Sequence, residues 1–264
     1  MLNNDLDLER HPLDGLDTPA GEALVARCRS DLARNGMFNL EGLIRPAALP
    51  RAVAGLRPVL DSAAFEHKRS HNIYFRKDIA GLAPDHPALR QVTTINHTIC
   101  ADQMPADTLV LQIYEWPAMA AFLAATMGKP RLHTMADPLA RVNVMEYRAG
   151  EALNWHFDRS EFTTTLLLQA PEAGGVFEYR SDLRTESNPN YAGVAALIEG
   201  RDPQLKTQPL AAGTLNVFRG KNTAHRVTPI EGKIPRVIAV FSYYEQPGVM
   251  FTPEERTGFY GRAG

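Results

Sequence analysis

The sequence predicts a mainly β domain, a barrel or sandwich of short strands with helices packed on one side. Three observations lead there. From about residue 139 onward, short segments rich in Val, Thr, Leu and Phe alternate with Gly and Pro punctuation. Ahead of them, apolar residues recur at helical spacing over 21–33 and 47–65. The length of 264 residues, with 44% hydrophobic and 22% charged, suits one globular unit with a substantial core.

Taken in order, residues 1–20 read as a polar arm containing Pro12 and Pro19. A helix over 21–33 follows, with Leu24, Val25, Cys28 and Leu32 as its apolar stripe, and Asn35-Gly36 ends it through the left-handed conformation these residues tolerate. Residues 37–44 read as a strand, and Pro46 opens a helix over 47–65 that carries Leu49, Val53, Leu56, Val59 and Leu60, with a kink or break at Pro58. Strands are expected at 141–147, 163–169, 175–179, 214–218, 225–229 and 236–244. The insert 182–205, with Asn188-Pro189-Asn190 before an apolar helix-like run at 191–198, is long enough to be a lid. With no repeat and no linker, 1–264 reads as one domain. Residues 1–138 form a mostly helical layer and cover, 139–248 the β core, and 249–264 a C-terminal flap.

Composition narrows the partners. Lys plus Arg is 28 against 30 for Asp plus Glu, with no block of either sign, which argues against nucleic acid and anionic membrane and for a small-molecule partner. The longest apolar stretch, 118–127, falls short of the roughly 20 residues a membrane helix needs. The opening Met1-Leu2-Asn3-Asn4-Asp5 lacks the basic and apolar regions of a secretory signal, so a cytoplasmic location is expected. Cys28 and Cys100 lie far apart without metal-type spacing and read as inert thiols.

The chemistry concentrates in Asn154-Trp155-His156-Phe157-Asp158-Arg159-Ser160. Positions two apart on a strand share a face, so His156 and Asp158 can offer a nitrogen and a carboxylate oxygen to one ion. That triplet is weak evidence alone, and His225 on a later strand strengthens it by completing a two-histidine, one-carboxylate set. Arg236, between Pro235 and the apolar run 237–241, can reach the same interior across one hairpin and hold a carboxylate with both arms of its guanidinium. Period-two counting from Arg236 puts Ile238, Val240 and Ser242 on the same inward face, and Ser242 is a candidate contact for cosubstrate or substrate. Arg159 either faces solvent or pairs with a substrate acid, Arg76 is a candidate carboxylate anchor over the barrel mouth, and Tyr260 either closes the pocket or packs. His67 and His71 are four apart without the glutamate of a zinc-protease helix and read as a solvated helix end; no G-x-S-x-G hydrolase signal is present.

In order along the chain come the H-x-D, the Gly-Gly-Val-Phe-Glu-Tyr strand at 174–179, the Gly213-Thr214 strand, His-Arg-Val-Thr-Pro at 225–229, Arg236, and Phe-Ser-Tyr-Tyr-Glu-Gln-Pro-Gly at 241–248. This succession resembles the iron(II)- and 2-oxoglutarate-dependent oxygenases. It is most similar to a small bacterial branch of free amino-acid hydroxylases and radical halogenases acting on lysine-like amino acids. The resemblance covers about 141–248 well and the N-terminal helices loosely. It implies a double-stranded β-helix (jelly roll, cupin-like), Fe(II) on His156, Asp158 and His225 as the catalytic centre, 2-oxoglutarate held by Arg236, and O2 as oxidant. Halogenases of the branch carry a small residue where Asp158 stands, so the resemblance implies hydroxylation of an unactivated C–H bond in a free amino acid or derivative. Desaturation and ring closure stay open, and a cupin-like metal-binding isomerase or small-acid sensor is the alternative.

Overall fold

The computed structural model describes residues 2–264. Its frame is two antiparallel sheets. The larger has seven strands in the spatial order Met37–Leu40, Leu215–Phe218, Thr163–Gln169, Arg236–Phe241, Val142–Tyr147, Val92–Cys100 and Phe65–His71. The smaller has four, ordered Lys206–Gln208, Phe177–Arg180, Ala224–Val227 and Leu153–His156. From residue 142 the chain alternates between them: Val142–Tyr147 in the larger, Leu153–His156 in the smaller, Thr163–Gln169 in the larger, Phe177–Arg180 in the smaller. After residue 206 it continues likewise through Leu215–Phe218, Ala224–Val227 and Arg236–Phe241. Successive strands joining opposite sheets make a double-stranded β-helix.

Strand periodicity decides which side chains face the interior. On the larger sheet Val142, Val144, Leu166, Leu168, Leu215, Val217, Val237 and Ala239 turn outward into the main core, against Leu24, Cys28 and Leu32 of helix Pro19–Asn35 and Phe122 and Leu123 of helix Pro117–Met127. Their neighbours Asn143, Met145, Tyr147, Thr165, Asn216, Arg236, Ile238 and Val240 turn inward and line a cavity between the sheets. Apolar burial thus pins the sheet's back while its front stays free for polar groups. Each buried Val or Leu of this set stabilises by about 1.5–3 kcal/mol relative to exposure.

The strands expected at 141–147, 163–169, 175–179, 214–218, 225–229 and 236–244 are all present to within a few residues, the last interrupted at Ser242. The first helix ends at Gly36, with φ +75°. The expected helix 47–65 is in three pieces, Pro46–Ala48, Leu49–Ala54 and Arg57–Ala63. Its break falls at Gly55-Leu56 rather than at Pro58, because a proline in the first turn of a helix gives up no bonded amide. The N-terminal 138 residues are less helical than expected: Phe65–His71 and Val92–Cys100 extend the larger sheet at one edge. His67 and His71 therefore lie on a strand and not on a helix end. The segment Phe-Glu-His-Lys-Arg-Ser-His has little intrinsic strand preference; pairing along the Thr- and Ile-rich 92–100 imposes it. Cys28 and Cys100 are buried free thiols. Among the described residues no single helix is long and apolar enough to cross a membrane.

Candidate metal centre and active-site cavity

His156 ends the strand Leu153–His156, and His225 sits directly opposite it in the register of the smaller sheet. Their ring centroids are 4.1 Å apart. Each imidazole Nδ1 lies by the backbone carbonyl two residues earlier, Asn154 O at 2.8 Å for His156 and Thr223 O at 3.0 Å for His225. A carbonyl only accepts, so Nδ1 carries the proton in both rings and both Nε2 lone pairs point into the cavity. Asp158 follows two residues after His156, its Oδ1 3.3 Å from His156 Nε2 and its Oδ2 3.4 Å from His225 Nε2. One donor atom from each of the three lies within 4.8 Å of the others, a spacing that fits one cation.

The chain secures the carboxylate tightly. The Asp158 amide donates to Gly220 O at 3.1 Å, and the Thr163 hydroxyl donates to Asp158 Oδ2 at 2.5 Å. A Cβ at Gly220 would stand 2.2 Å from Asp158 Oδ2, so only glycine leaves the carboxylate its place. Burial alone would raise the Asp158 carboxyl, but the imidazoles of His225 and His156 hold it well below the usual carboxylate range. Burial, reinforced by His225, pushes the His156 imidazole down. At neutral pH the site thus offers an ionised carboxylate and a neutral His156 ring, the protonation states that a divalent metal binds.

The cavity beside this cluster measures about 770 Å³. Arg236 enters it from the larger sheet, opposite Tyr147 in register, and is only 3% exposed. Its guanidinium makes no ion pair and no hydrogen bond among the described residues, and burial lowers it to about 10, which leaves it charged at neutral pH. A buried cation without a counter-charge is costly unless a ligand supplies one. A Cβ at Gly175 would lie 3.3 Å from the Arg236 stem, so this glycine also keeps the passage clear.

The remaining expected residues divide. Ser242 lines the cavity, its carbonyl accepting from the Tyr114 hydroxyl at 2.9 Å. Arg159 stands at the rim with its side chain 68% exposed and donates to Glu255 Oε1 at 2.6 Å. Tyr260, at the end of helix Pro253–Tyr260, is buried against the cavity and donates to Asn143 Oδ1 at 2.9 Å. Arg76 is not brought to the site: it is exposed and outside the cavity lining. The Asn72 side chain clamps the backbone of 74–76, and Phe75, with φ +54° and its ring partly exposed, joins the cavity lining where Arg76 does not. Phe75 stacks on His71 at 4.4 Å, and His71 Nε2 lies 2.8 Å from Thr94 Oγ1. Sequence reasoning missed His71, Phe75 and Arg184, all of which line the cavity. The alternation of His67, Arg69 and His71 was the available signal for the first; none marked Arg184 beyond its place in the 182–205 insert.

Solved structures similar to this one include an oxidoreductase of the 2OG-Fe(II) oxygenase family from Burkholderia pseudomallei, 15% identical over 85% of this chain and 92% of that chain, TM-score 0.54. Another is SnoN, a non-haem α-ketoglutarate-dependent epimerase of nogalamycin biosynthesis, 17% identical over 84% and 83%, TM-score 0.58. A third is AviO1 from Streptomyces viridochromogenes, 16% identical over 85% and 96%, TM-score 0.55. At these identities the likeness establishes the shared fold. No curated protein matches the chain in sequence. The family model described as Halogenase D matches residues 21–250, the whole β core and most of the N-terminal layer. The chain belongs to the Halogenase D family.

Proposed function

We propose that this protein is an Fe(II)- and 2-oxoglutarate-dependent dioxygenase that hydroxylates an unactivated C–H bond of a small substrate, a free amino acid or a derivative of one. The observation that carries the reading is the pairing, across one cavity, of a two-imidazole, one-carboxylate cluster with a buried guanidinium that has no partner. His156, Asp158 and His225 would hold the iron, whose preference for such a mixed nitrogen and oxygen face suits these donors. Arg236 would hold the far carboxylate of 2-oxoglutarate bidentately, and the charge-assisted pair would satisfy the guanidinium that burial leaves exposed to no other anion. Iron with 2-oxoglutarate and O2 supplies the oxidising power, giving succinate, carbon dioxide and an oxygenated product.

The protein's own part is placement and exclusion of water. Asn154 O and Thr223 O orient the two rings, and Gly220 and Thr163 fix the carboxylate. Phe75, Tyr74 and Phe157 wall the cavity on the side of the cover. Asp158 favours oxygenation over halogenation within this family, because its carboxylate fills the position a halide would need. Incubating iron-loaded protein with 2-oxoglutarate and free amino acids, with succinate read by mass, tests the reading. Amino-acid-stimulated succinate is expected; binding of 2-oxoglutarate without its consumption would favour a small-acid sensor.

A further inference from the structure

The charge lining the cavity is one-sided. Arg69, Arg159, Arg184, Lys221 and Arg236 contribute cationic groups, whereas among the described residues the only carboxylate in the lining is Asp158, already committed to the imidazole cluster. Three of the cations are otherwise engaged or peripheral: Arg159 pairs with Glu255, Lys221 with Glu186, and Arg69 lies exposed over the Phe75 ring. Arg236 is the deep one. That leaves Arg184, half-buried in the insert over the barrel mouth, with no carboxylate partner among the described residues.

Arg184 is held in place by its surroundings. Its Nε donates to Lys221 O at 2.8 Å, which leaves the two terminal nitrogens of the fork free. The guanidinium carbon sits 3.9 Å from the centroid of the Phe157 ring, between the two ligand-bearing residues His156 and Asp158, and 5.9 Å from that of Tyr74. Phe157 and Tyr74 stack on each other at 5.5 Å. One residue earlier Leu183 is buried, and its carbonyl accepts from Asn190 Nδ2 at 2.7 Å. Asn190 also caps the helix Tyr191–Ile198 through Gly193 N. The planar cation is thus clamped against an aromatic floor next to the imidazole and carboxylate cluster, with its outer edge unmet; burial, with Arg76 adding to it, lowers its hold on its proton, and Tyr74 and Asp158 only partly oppose this.

We propose that Arg184 anchors a carboxylate of the primary substrate, and that this substrate is an organic acid or amino acid whose body is uncharged or acidic, not a lysine-like diamine. The proposal rests on the oxygenase reading above and names its substrate class. A second ammonium inside this cavity would find no uncommitted carboxylate among the described lining residues, an unfavourable exchange for its hydration.

The test uses wild-type protein loaded with Fe(II), 2-oxoglutarate and a panel of leucine, glutamate, their carboxamides leucinamide and isoglutamine, lysine and cadaverine, with succinate read by mass. Succinate released without any primary substrate reports on the oxygenase reading by itself; its absence under all conditions sinks that reading. Given succinate, leucine or glutamate should stimulate its release more than the matching amide, lysine or cadaverine. Greatest stimulation by lysine or cadaverine, or by none of the acids, overturns the proposal. In Arg184→Gln the half-saturating concentration of the stimulating acid should rise about tenfold or more, well beyond any change for 2-oxoglutarate, and Arg184→Lys should recover part of the loss. Calorimetric titration of the same acid into nickel-loaded protein gives affinity without turnover and should show the same order. Wild-type affinity for the acid in both variants also overturns it.

Discussion

The two sides of the cavity are built by different means. On the sheet side, His156, His225 and Arg236 hang from strands whose register is set across several partners, and glycines at 175 and 220 leave room for Arg236 and Asp158. On the cover side, Phe75, Arg159 and Arg184 are placed by side chains that grip loops: Asn72 on 74–76, Glu255 on Arg159, Asn190 at the foot of the 182–205 insert. A ladder of backbone bonds backed by an apolar core fixes position closely, whereas a loop held by one amide or one exposed ion pair is more readily altered. On the proposed reading, the contrast puts the chemistry on the sheet side and the selection of substrate on the cover.

The largest effect should come from the sheets. His225→Ala removes one of three donors and should abolish both tight binding of one iron per chain and turnover; one bound iron with full turnover, measured by metal analysis and succinate release, would erase the distinction between the two sides. Next is Gly220→Ala, whose new methyl would collide with Asp158 Oδ2. Metal affinity should fall about 10–100-fold, the usual cost of disturbing a ligand's support, with little loss of folded structure by circular dichroism. Arg236→Ala should raise the 2-oxoglutarate requirement about tenfold or more while leaving iron bound. An unchanged 2-oxoglutarate titration would move the anchor to the cover.

A smaller effect on the chemistry, though not on stability, is expected at the C-terminal cover. Asp137 is fully buried and accepts from the Leu139, Ala140 and Phe251 amides and from Arg256 Nε at 2.8 Å, which ties 251–256 to the β core. Burial opposes ionisation, but these donors hold the carboxyl below its ordinary value. A carboxyl depressed on folding stabilises above its unfolded value near 3.9 and loses that contribution as pH falls through the folded one. Asp137→Asn should cost about 3–5 kcal/mol at pH 7, because Arg256 is left half-buried without its anion, and the gap to wild type should narrow below pH 4. Thermal melts at pH 7 and 3.5 measure this. A constant gap would show the latch to be uncharged.

The same division explains what was readable in the sequence. Strands 163–169 and 236–241 show as apolar and β-branched runs because their backs face the core; Arg236 opens the second of them, His156 and His225 sit on the short strands of the smaller sheet, and Asp158 follows two residues after His156, just past its strand. Phe65–His71 did not show, since its residues are polar and its strand form comes from a partner 27 positions away. Arg76 looked better placed than Phe75 because its charge is visible in sequence, whereas the positive φ that brings Phe75 to the cavity's edge goes with the Asn72 side-chain clamp. Arg184 was invisible for a like reason: its site is assembled from Phe157, Tyr74 and Lys221 O, three segments distant along the chain.

On the proposed reading, Asp158, beside the imidazoles of His156 and His225, gives the iron site a carboxylate, and this member of the Halogenase D family would oxygenate. The most direct measurement is the product mass from wild-type, iron-loaded protein with 2-oxoglutarate, O2 and a stimulating acid in excess chloride. Succinate with an oxygenated product and no chlorinated one is the expected result; a chlorinated product would contradict Asp158 as an iron ligand.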